Sequence, residues 1–378
     1  MTKWPILLLV RELGHGGCER DTTKLAIALK DTCFEPHVGA FHEQDGFRAA
    51  ELKAAGIPVL FLPVRSFMNS TAATGARMLH DYIREHQIRL IHAFDVALDV
   101  FGCFAARLHV PVLITAQLSY RDMYSWIFRL ALRITDWMAD RVVVNSAAVG
   151  NSLKGQVGFP ESKLYLCYNG VDSEVFYPAT VPRPKPVADA ELLIGSVCVM
   201  RQEKRVDWML RSFHELWKQY PGLRMLLVGN GPEAPRWMEL RDRLGLRGVC
   251  HFEPGRQDIA DFMRAIDVYL NTSYSESFPN ALLEAMACGC CVIGSNVGGI
   301  PELVTHRQDG FVFDSQDPDH LTRLLREAVE NRSLRESIRR EAVTTAHERF
   351  SMRITAEKTM SLYKTLLKER GVRQVERP

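Results

Sequence analysis

The chain has 378 residues, 47% of them hydrophobic and 24% charged, which is enough for two domains with sizeable cores. Its 47 Lys and Arg against 45 Asp and Glu leave a formal charge of +2, so the broad positive field that draws nucleic acid is absent, and the 25 Gly and 18 Pro are scattered rather than clustered, which excludes fibrous and disordered classes. Nine cysteines, odd in number and mostly within apolar runs, do not form a disulfide framework and point to a reducing compartment.

The first apolar run, Ile6 to Val10, has the length of a buried strand. It is too short for a signal peptide or a membrane span, so cytoplasmic residence is expected. Strand runs follow at 59–62, 90–92, 112–116 and 142–145, with helical patterns at 18–30, 46–55, 72–87, 98–108 and 122–138. This alternation specifies a parallel sheet. The stretch from Tyr177 to Pro186 holds four prolines and reads as an extended connector, with the domain boundary set at 180–181. A second series begins at 192–199 and continues with strands at 225–228, 249–252, 268–271 and 291–294, separated by helices at 206–220, 233–244, 258–265 and 279–288. Beyond about 317 the pattern is helical to 370, and residues 351–378 are expected to form a helix that packs back on the first domain. The fold class is therefore α/β, two doubly wound units whose strand ends face a cleft.

Chemistry-bearing residues gather at the carboxyl ends of these strands. Gly16 and Gly17 join the first strand to its helix, where backbone N–H groups can approach an anion. Alone they also suit an ordinary turn. Nothing matches the P-loop spacing or G-x-G-x-x-G, which sets aside ATPase and simple NAD readings. Arg201 and Lys204 follow the strand at 192–199 and could neutralise a departing diphosphate, and Gly229 ends the next strand in a close-approach turn.

The densest constellation runs from Asn271 to Gly289 and reads as strand, polar loop and helix. Ser277 suits an N-cap, Pro279 the first turn and Gly289 the C-terminal stop. Glu276 then lies in the loop and Glu284 in the second turn, among apolar neighbours where a carboxylate needs a partner. Free N–H donors at the helix tip suit a diphosphate, and carboxylates on either side of it suit sugar hydroxyls. The turn at Gly298 and Gly299 repeats the anion-friendly pattern.

In these motifs the sequence resembles the retaining nucleotide-sugar glycosyltransferases of family 4, group 1, with the two-Rossmann-domain GT-B architecture. The E-x7-E pair Glu276 and Glu284 carries the resemblance, with Gly16-Gly17-Cys18-Glu19-Arg20, Asn169-Gly170-Val171-Asp172, Val228 to Pro232 and Val297 to Glu302. The resemblance implies that Glu284 holds the donor ribose, and that amides around Asn280, Ala281 and Leu282, within a donor-binding run that also takes in Ser277, Phe278 and Pro279, hold its phosphates. It further implies that Glu276 holds the transferred sugar and Lys204 the leaving diphosphate, with His251 to Gly255 beside the base and Gly16 and Gly17 near the diphosphate or acceptor. A hexosyltransferase needing no covalent nucleophile and no metal is implied, acting on a UDP-type nucleotide sugar and a glycan or lipid-linked acceptor in polysaccharide or cell-envelope assembly.

This sequence has Val199 where such proteins often have Arg, Ser277 where Gly is usual, Asn271-Thr272 where a Pro is common, and Gln117 where a first-domain His often faces the sugar. Arg201 is the substitute for the first, and Gln117 the acceptor-side hydrogen-bonding group. The D-x-D at Asp317-Pro318-Asp319 is expected to start a helix rather than bind metal, and Cys288, Cys290 and Cys291 lack the spacing of a zinc site. The segment from Tyr120 to Arg133 reads first as an amphipathic helix packed on the core, and alternatively as a peripheral contact with an acidic membrane. A nucleotide-sugar epimerase or hydrolase, and a non-catalytic nucleotide-sugar-binding subunit, are the alternative functions.

Overall fold

The computed structural model describes residues 2–14, 16–41, 46–67, 69–156, 158–256 and 258–376. It divides into two compact units, residues 1–170 with 352–378, and Val171–Ser351.

Unit 1 begins with β1 (Thr2–Val10), α1 (Gly17–Lys30), β2 (Phe34–Ala40), α2 (Phe47–Ala54), β3 (Val59–Phe61), α3 (Ser70–Glu85) and β4 (Leu90–Ala93). It continues with α4 (Val96–Ala106), β5 (Val112–Gln117), α5 (Trp126–Met138), β6 (Arg141–Val144), α6 (Ala147–Lys154) and β7 (Leu164–Leu166). Its sheet runs β3-β2-β1-β4-β5-β6-β7 with every one of these pairs parallel. The strand order reverses between β1 and β4.

β1 shows why its sequence is a continuous apolar run. Ile6, Leu8 and Val10 pack on one face with Leu25, Ala26 and Leu29 of α1, while Leu7 and Leu9 pack on the other with Leu79 of α3 and Phe101 of α4. A central parallel strand buries both faces, so it cannot alternate with polar residues. β2 is absent from the sequence-based series because Pro36 and Gly39 argue against a strand. It forms because seven residue pairs align it with β1, from Trp4 with Phe34 to Val10 with Ala40, and because Phe34, Val38 and Ala40 are buried.

Unit 2 contains β8 (Leu192–Val197), α7 (Val206–Trp217), β9 (Leu223–Val228), α8 (Ala234–Arg243), β10 (Cys250–Glu253), α9 (Ile259–Ala265) and β11 (Val268–Asn271). There follow α10 (Asn280–Ala287), β12 (Cys291–Ser295), α11 (Ile300–Leu303), β13 (Phe311–Phe313), α12 (Pro318–Glu330) and α13 (Arg332–Arg349). The parallel sheet runs β10-β9-β8-β11-β12-β13, reversing between β8 and β11. Ile194, Met225, Leu227, Val268, Leu270 and Ile293 form the core with Leu210 and Phe213 of α7 and Leu324 and Leu325 of α12. The chain then returns to unit 1 through α14 (Met352–Glu369), which places Leu362, Tyr363 and Leu366 in the same layer as Ile6 and Leu8, and β14 (Val375–Glu376), antiparallel to the start of β1.

The division falls at Gly170/Val171 rather than at 180–181. The N–H of Val171 donates to the carbonyl of Phe350, and the Arg264 guanidinium donates to the carbonyls of Val175 and Tyr177. The start of the connector is therefore fastened to unit 2 before its first proline.

α5 departs from the reading as a core helix. Leu132, Thr135 and Asp136 face inward, but Trp126, Ile127, Leu130, Ile134 and Trp137 are exposed.

Candidate active site

Ligands of doubly wound sheets sit beyond the carboxyl ends of the strands where the order reverses. In unit 2 that point lies between β8 and β11. The loop after β8 carries Arg201 and Lys204, and the loop after β11 carries Glu276 and leads into α10.

These two loops are bound to each other. Lys204 Nζ donates to Glu276 Oε1 at 2.5 Å, and the same oxygen accepts from Ser273 Oγ at 3.0 Å and Asn271 Nδ2 at 3.5 Å. Thr272 Oγ1 donates to the carbonyls of Lys204 and Arg205, and the N–H of Tyr274 to the carbonyl of Glu203. Ser295 Oγ, at the end of β12, donates to the carbonyl of Ser273 at 2.6 Å. Burial works against the charge on Lys204, but the Glu276 carboxylate outweighs it and holds the ammonium pKa above the ordinary lysine value. The lysine is charged throughout the physiological range. Arg201 is exposed, and its guanidinium has no hydrogen bond or ion pair among the described residues.

Asn271, Thr272 and Ser273 lie in the constellation singled out from the sequence but were given no role there. They fix the loop that aims Glu276, and the signal was present as a polar triplet directly after an apolar strand. Arg205 was likewise given no role. It occupies the left-handed region at φ 44°, stacks between Trp208 and Tyr274, and donates to the carbonyl of Ser315.

The helix begins later than its sequence suggests. Pro279, not Ser277, is the N-cap residue, and no side chain caps the tip. Of the three amides expected around Asn280, Ala281 and Leu282, that of Leu282 already donates to the Pro279 carbonyl. The N–H of Ala281 has no acceptor among the described residues. Phe278 and Pro279 are buried, with Phe278 against Phe350. Glu284 is 4% exposed and engaged within the structure, as its apolar company requires. Gly289 ends the helix at φ +81°, the conformation glycine supplies.

Other candidates are placed differently. A Cβ on Gly229, at φ +146°, would stand 1.9 Å from the Cys198 carbonyl oxygen, so the close approach this glycine permits is made by the protein's own backbone. On β10, His251 and Glu253 pair at 3.2 Å, and Arg256, just beyond the strand, pairs with Glu253 at 3.3 Å. α11, opened by Gly298 and Gly299, has a single turn of four residues and offers no helix tip comparable to α10.

In unit 1 the order reverses between β1 and β4, and Gly16 caps α1 at that point with no side-chain bond. The Glu19 carboxylate occupies the space a Cβ on Gly16 would take. Burial, reinforced by Glu12 and Asp95, raises its pKa. Gly16, where a phosphate was one expectation, thus stands directly beside the Glu19 side chain. Gln117 is 1% exposed and its amide is used at both ends, donating to the Ser119 carbonyl and accepting from Arg121 Nε. It aims Arg121 at Asp136 instead of presenting a group outward.

All nine cysteines are free, and burial pushes the Cys288 and Cys291 thiols up to about 12, which keeps them protonated. Asp317 caps α12 by accepting from the His320 N–H. Among the described residues no cluster of His, Cys, Asp and Glu has the form of a metal site, and no helix is long and apolar enough to cross a membrane.

Two family models match the chain, Glycosyltransferase Family 4 over residues 15–175 and Glycosyl transferases group 1 over 180–344. Among curated proteins, D-inositol 3-phosphate glycosyltransferase of Kribbella flavida is 32% identical over 60% of this chain and 57% of its own length. N-acetyl-alpha-D-glucosaminyl L-malate synthase of Bacillus anthracis is 27% identical over 55% and 54%. The chain thus spans little more than half the length of these relatives. Among solved structures, Anabaena HepE in complex with UDP and glucose superposes with a TM-score of 0.82 at 23% identity, covering 96% of this chain and all of that one. Sucrose-phosphate synthase from Thermosynechococcus elongatus gives 0.83 at 18%, covering 97% and all of its chain. With two doubly wound parallel sheets and both family models matched in order, the chain belongs to the group 1, family 4 glycosyltransferases and has the GT-B architecture.

Proposed function

We propose that the chain transfers a hexose from a nucleoside diphosphate sugar, with retention and without a metal ion, to a hydroxyl of a glycan or lipid-linked acceptor in polysaccharide or cell-envelope assembly. The observation that carries this reading is the meeting of Lys204 and Glu276 at the reversal point of unit 2, directly before the uncapped tip of α10. Lys204 and Arg201 supply positive charge where the diphosphate leaves. The α10 tip accepts phosphate oxygens, Glu284 the ribose hydroxyls, and Glu276 the hydroxyls of the sugar. The bond from the anomeric carbon to the phosphate oxygen breaks as the acceptor oxygen bonds to that carbon on the same face. The acceptor proton passes to a donor phosphate oxygen, so no protein nucleophile is required.

UDP is the favoured carrier because HepE, alike in fold, is solved with UDP and glucose. The relatives named above differ in acceptor, which leaves the acceptor to experiment. The test is a thermal-shift panel of UDP, GDP, ADP and their sugars, with donor turnover measured with and without EDTA. A uridine nucleotide at about one hundred times its Kd stabilises by about 2.7 kcal/mol. The proposal expects a rise of several degrees and turnover indifferent to EDTA. Silence of all three nucleotides would overturn donor binding, and loss of turnover in EDTA would overturn the metal-free route.

A further inference from the structure

The geometry points to α5 as a docking surface for an anionic lipid bilayer. A helix on a globular surface normally turns its apolar stripe inward. In α5, Trp126 and Trp137 are 67% and 64% exposed, and Ile127, Leu130 and Ile134 lie exposed between them. At 100° per residue these five side chains share one sector about 100° wide, and the helix runs about 20 Å, the layout of a helix lying in the plane of an interface. Met123, just ahead of the helix, is exposed too.

The face is held rigidly. Arg121 and Asp136 pair at 2.6 Å on the inner side, and Lys163 Nζ donates to the carbonyls of Trp137 and Ala139 at the C-terminal end. A hollow of about 400 Å³ lined by Arg133, Ile134, Trp137, Met138 and Phe159 extends the apolar surface.

Charge selects the occupant. Arg129 and Arg133 flank one edge of the stripe, both exposed and neither in an ion pair among the described residues. The acids nearby are Asp122, exposed ahead of the helix, Asp136, paired with Arg121, and, beside Trp137 at the C-terminal end, Asp140, paired with Arg107 and Arg370, and Glu369, paired with Arg141. A second copy meeting this face would bring arginines against arginines. Lipid phosphates complement them, while the arginine stems lie along the apolar stripe and the indoles sit at headgroup level. The inference rests on unit 1 alone and stands whether or not the glycosyl-transfer reading does. Where that reading holds, docking brings the enzyme to an acceptor carried on lipid.

The experiment is sedimentation of the full chain with vesicles of phosphatidylcholine alone and with added phosphatidylglycerol, without nucleotide, alongside light scattering. Binding to the anionic vesicles is expected, with weak binding to the neutral ones. Arg129→Gln with Arg133→Gln should weaken it at low salt by about fivefold per arginine, and Trp126→Ser with Leu130→Ser should abolish it. Nucleotide stabilisation, measured without vesicles, separates misfolding and failure of the donor reading from failure of this one. Equal binding by wild type and variants, no binding by wild type, or a dimer that the Trp126 and Leu130 changes dissolve would each overturn the inference, the last in favour of a second copy.

Discussion

Removing one partner of the Lys204–Glu276 pair tests whether these loops are locked by charge. The two side chains are 21% and 14% exposed, so the pair is mostly but not wholly withdrawn from water. Glu276→Gln keeps the shape, removes the charge and strands the ammonium. A charge-assisted bond of about 1.5–3 kcal/mol, reduced for the residual exposure, gives a loss of about 1–2 kcal/mol, or roughly 3–6 °C for a unit of this size. Lys204→Met should cost less, about 1 kcal/mol, because Glu276 retains Ser273 and Asn271 as donors. The double variant should lose about as much as Lys204→Met alone, a coupling of roughly 1–2 kcal/mol, equal to the whole loss in Glu276→Gln. Calorimetric melting of the four proteins without ligand provides the readout. Additive losses would refute the reasoning, because they would mean that each side chain acts through neighbours other than its partner.

Two further outcomes follow from the backbone and from a buried ring. Gly229→Ala should cost more than about 3 kcal/mol, because it adds a Cβ at 1.9 Å from the Cys198 oxygen in a strained conformation, and the drop in melting temperature checks this. His92, on β4, is held neutral by burial, which lowers its pKa to about 3, and Nδ1 meets the Tyr363 hydroxyl at 2.7 Å. The unfolded chain takes up a proton near pH 6.5 that the native state refuses, so this stability is full above that pH and is lost as pH falls toward 3. At pH 4.5 the loss is about 3 kcal/mol. His92→Phe should melt with a correspondingly shallower pH dependence between 6.5 and 4.5, and an unchanged slope would contradict the assignment.

The sequence revealed most where local pattern and tertiary role coincide. β1 is a bare apolar run because both its faces are buried, and the segment from Asn271 to Gly289 carries its loop, helix and stop in order. Where the deciding contact is distant, the pattern was insufficient. β2 depends on its alignment with β1 despite Pro36, and the unit boundary depends on Val171 reaching Phe350 across the chain. Apolar periodicity marked a stripe on α5 but not its direction, which is set by the buried pair of Arg121 and Asp136 on the other side. Gln117 was singled out because it stands where the resembled family often has a sugar-facing His, and only the placement of Arg121 shows its amide oxygen already engaged.

The most direct test of the central claim, that Glu276 and Glu284 hold a donor sugar at the tip of α10, is a calorimetric titration of UDP and UDP-glucose into wild type, Glu276→Ala and Glu284→Ala. Glu284→Ala should bind neither ligand. Glu276→Ala should bind UDP as wild type does and lose the added affinity for the sugar, by about ten- to a hundredfold for one or two charge-assisted hydrogen bonds. Wild-type affinity for both ligands in either variant would contradict the account.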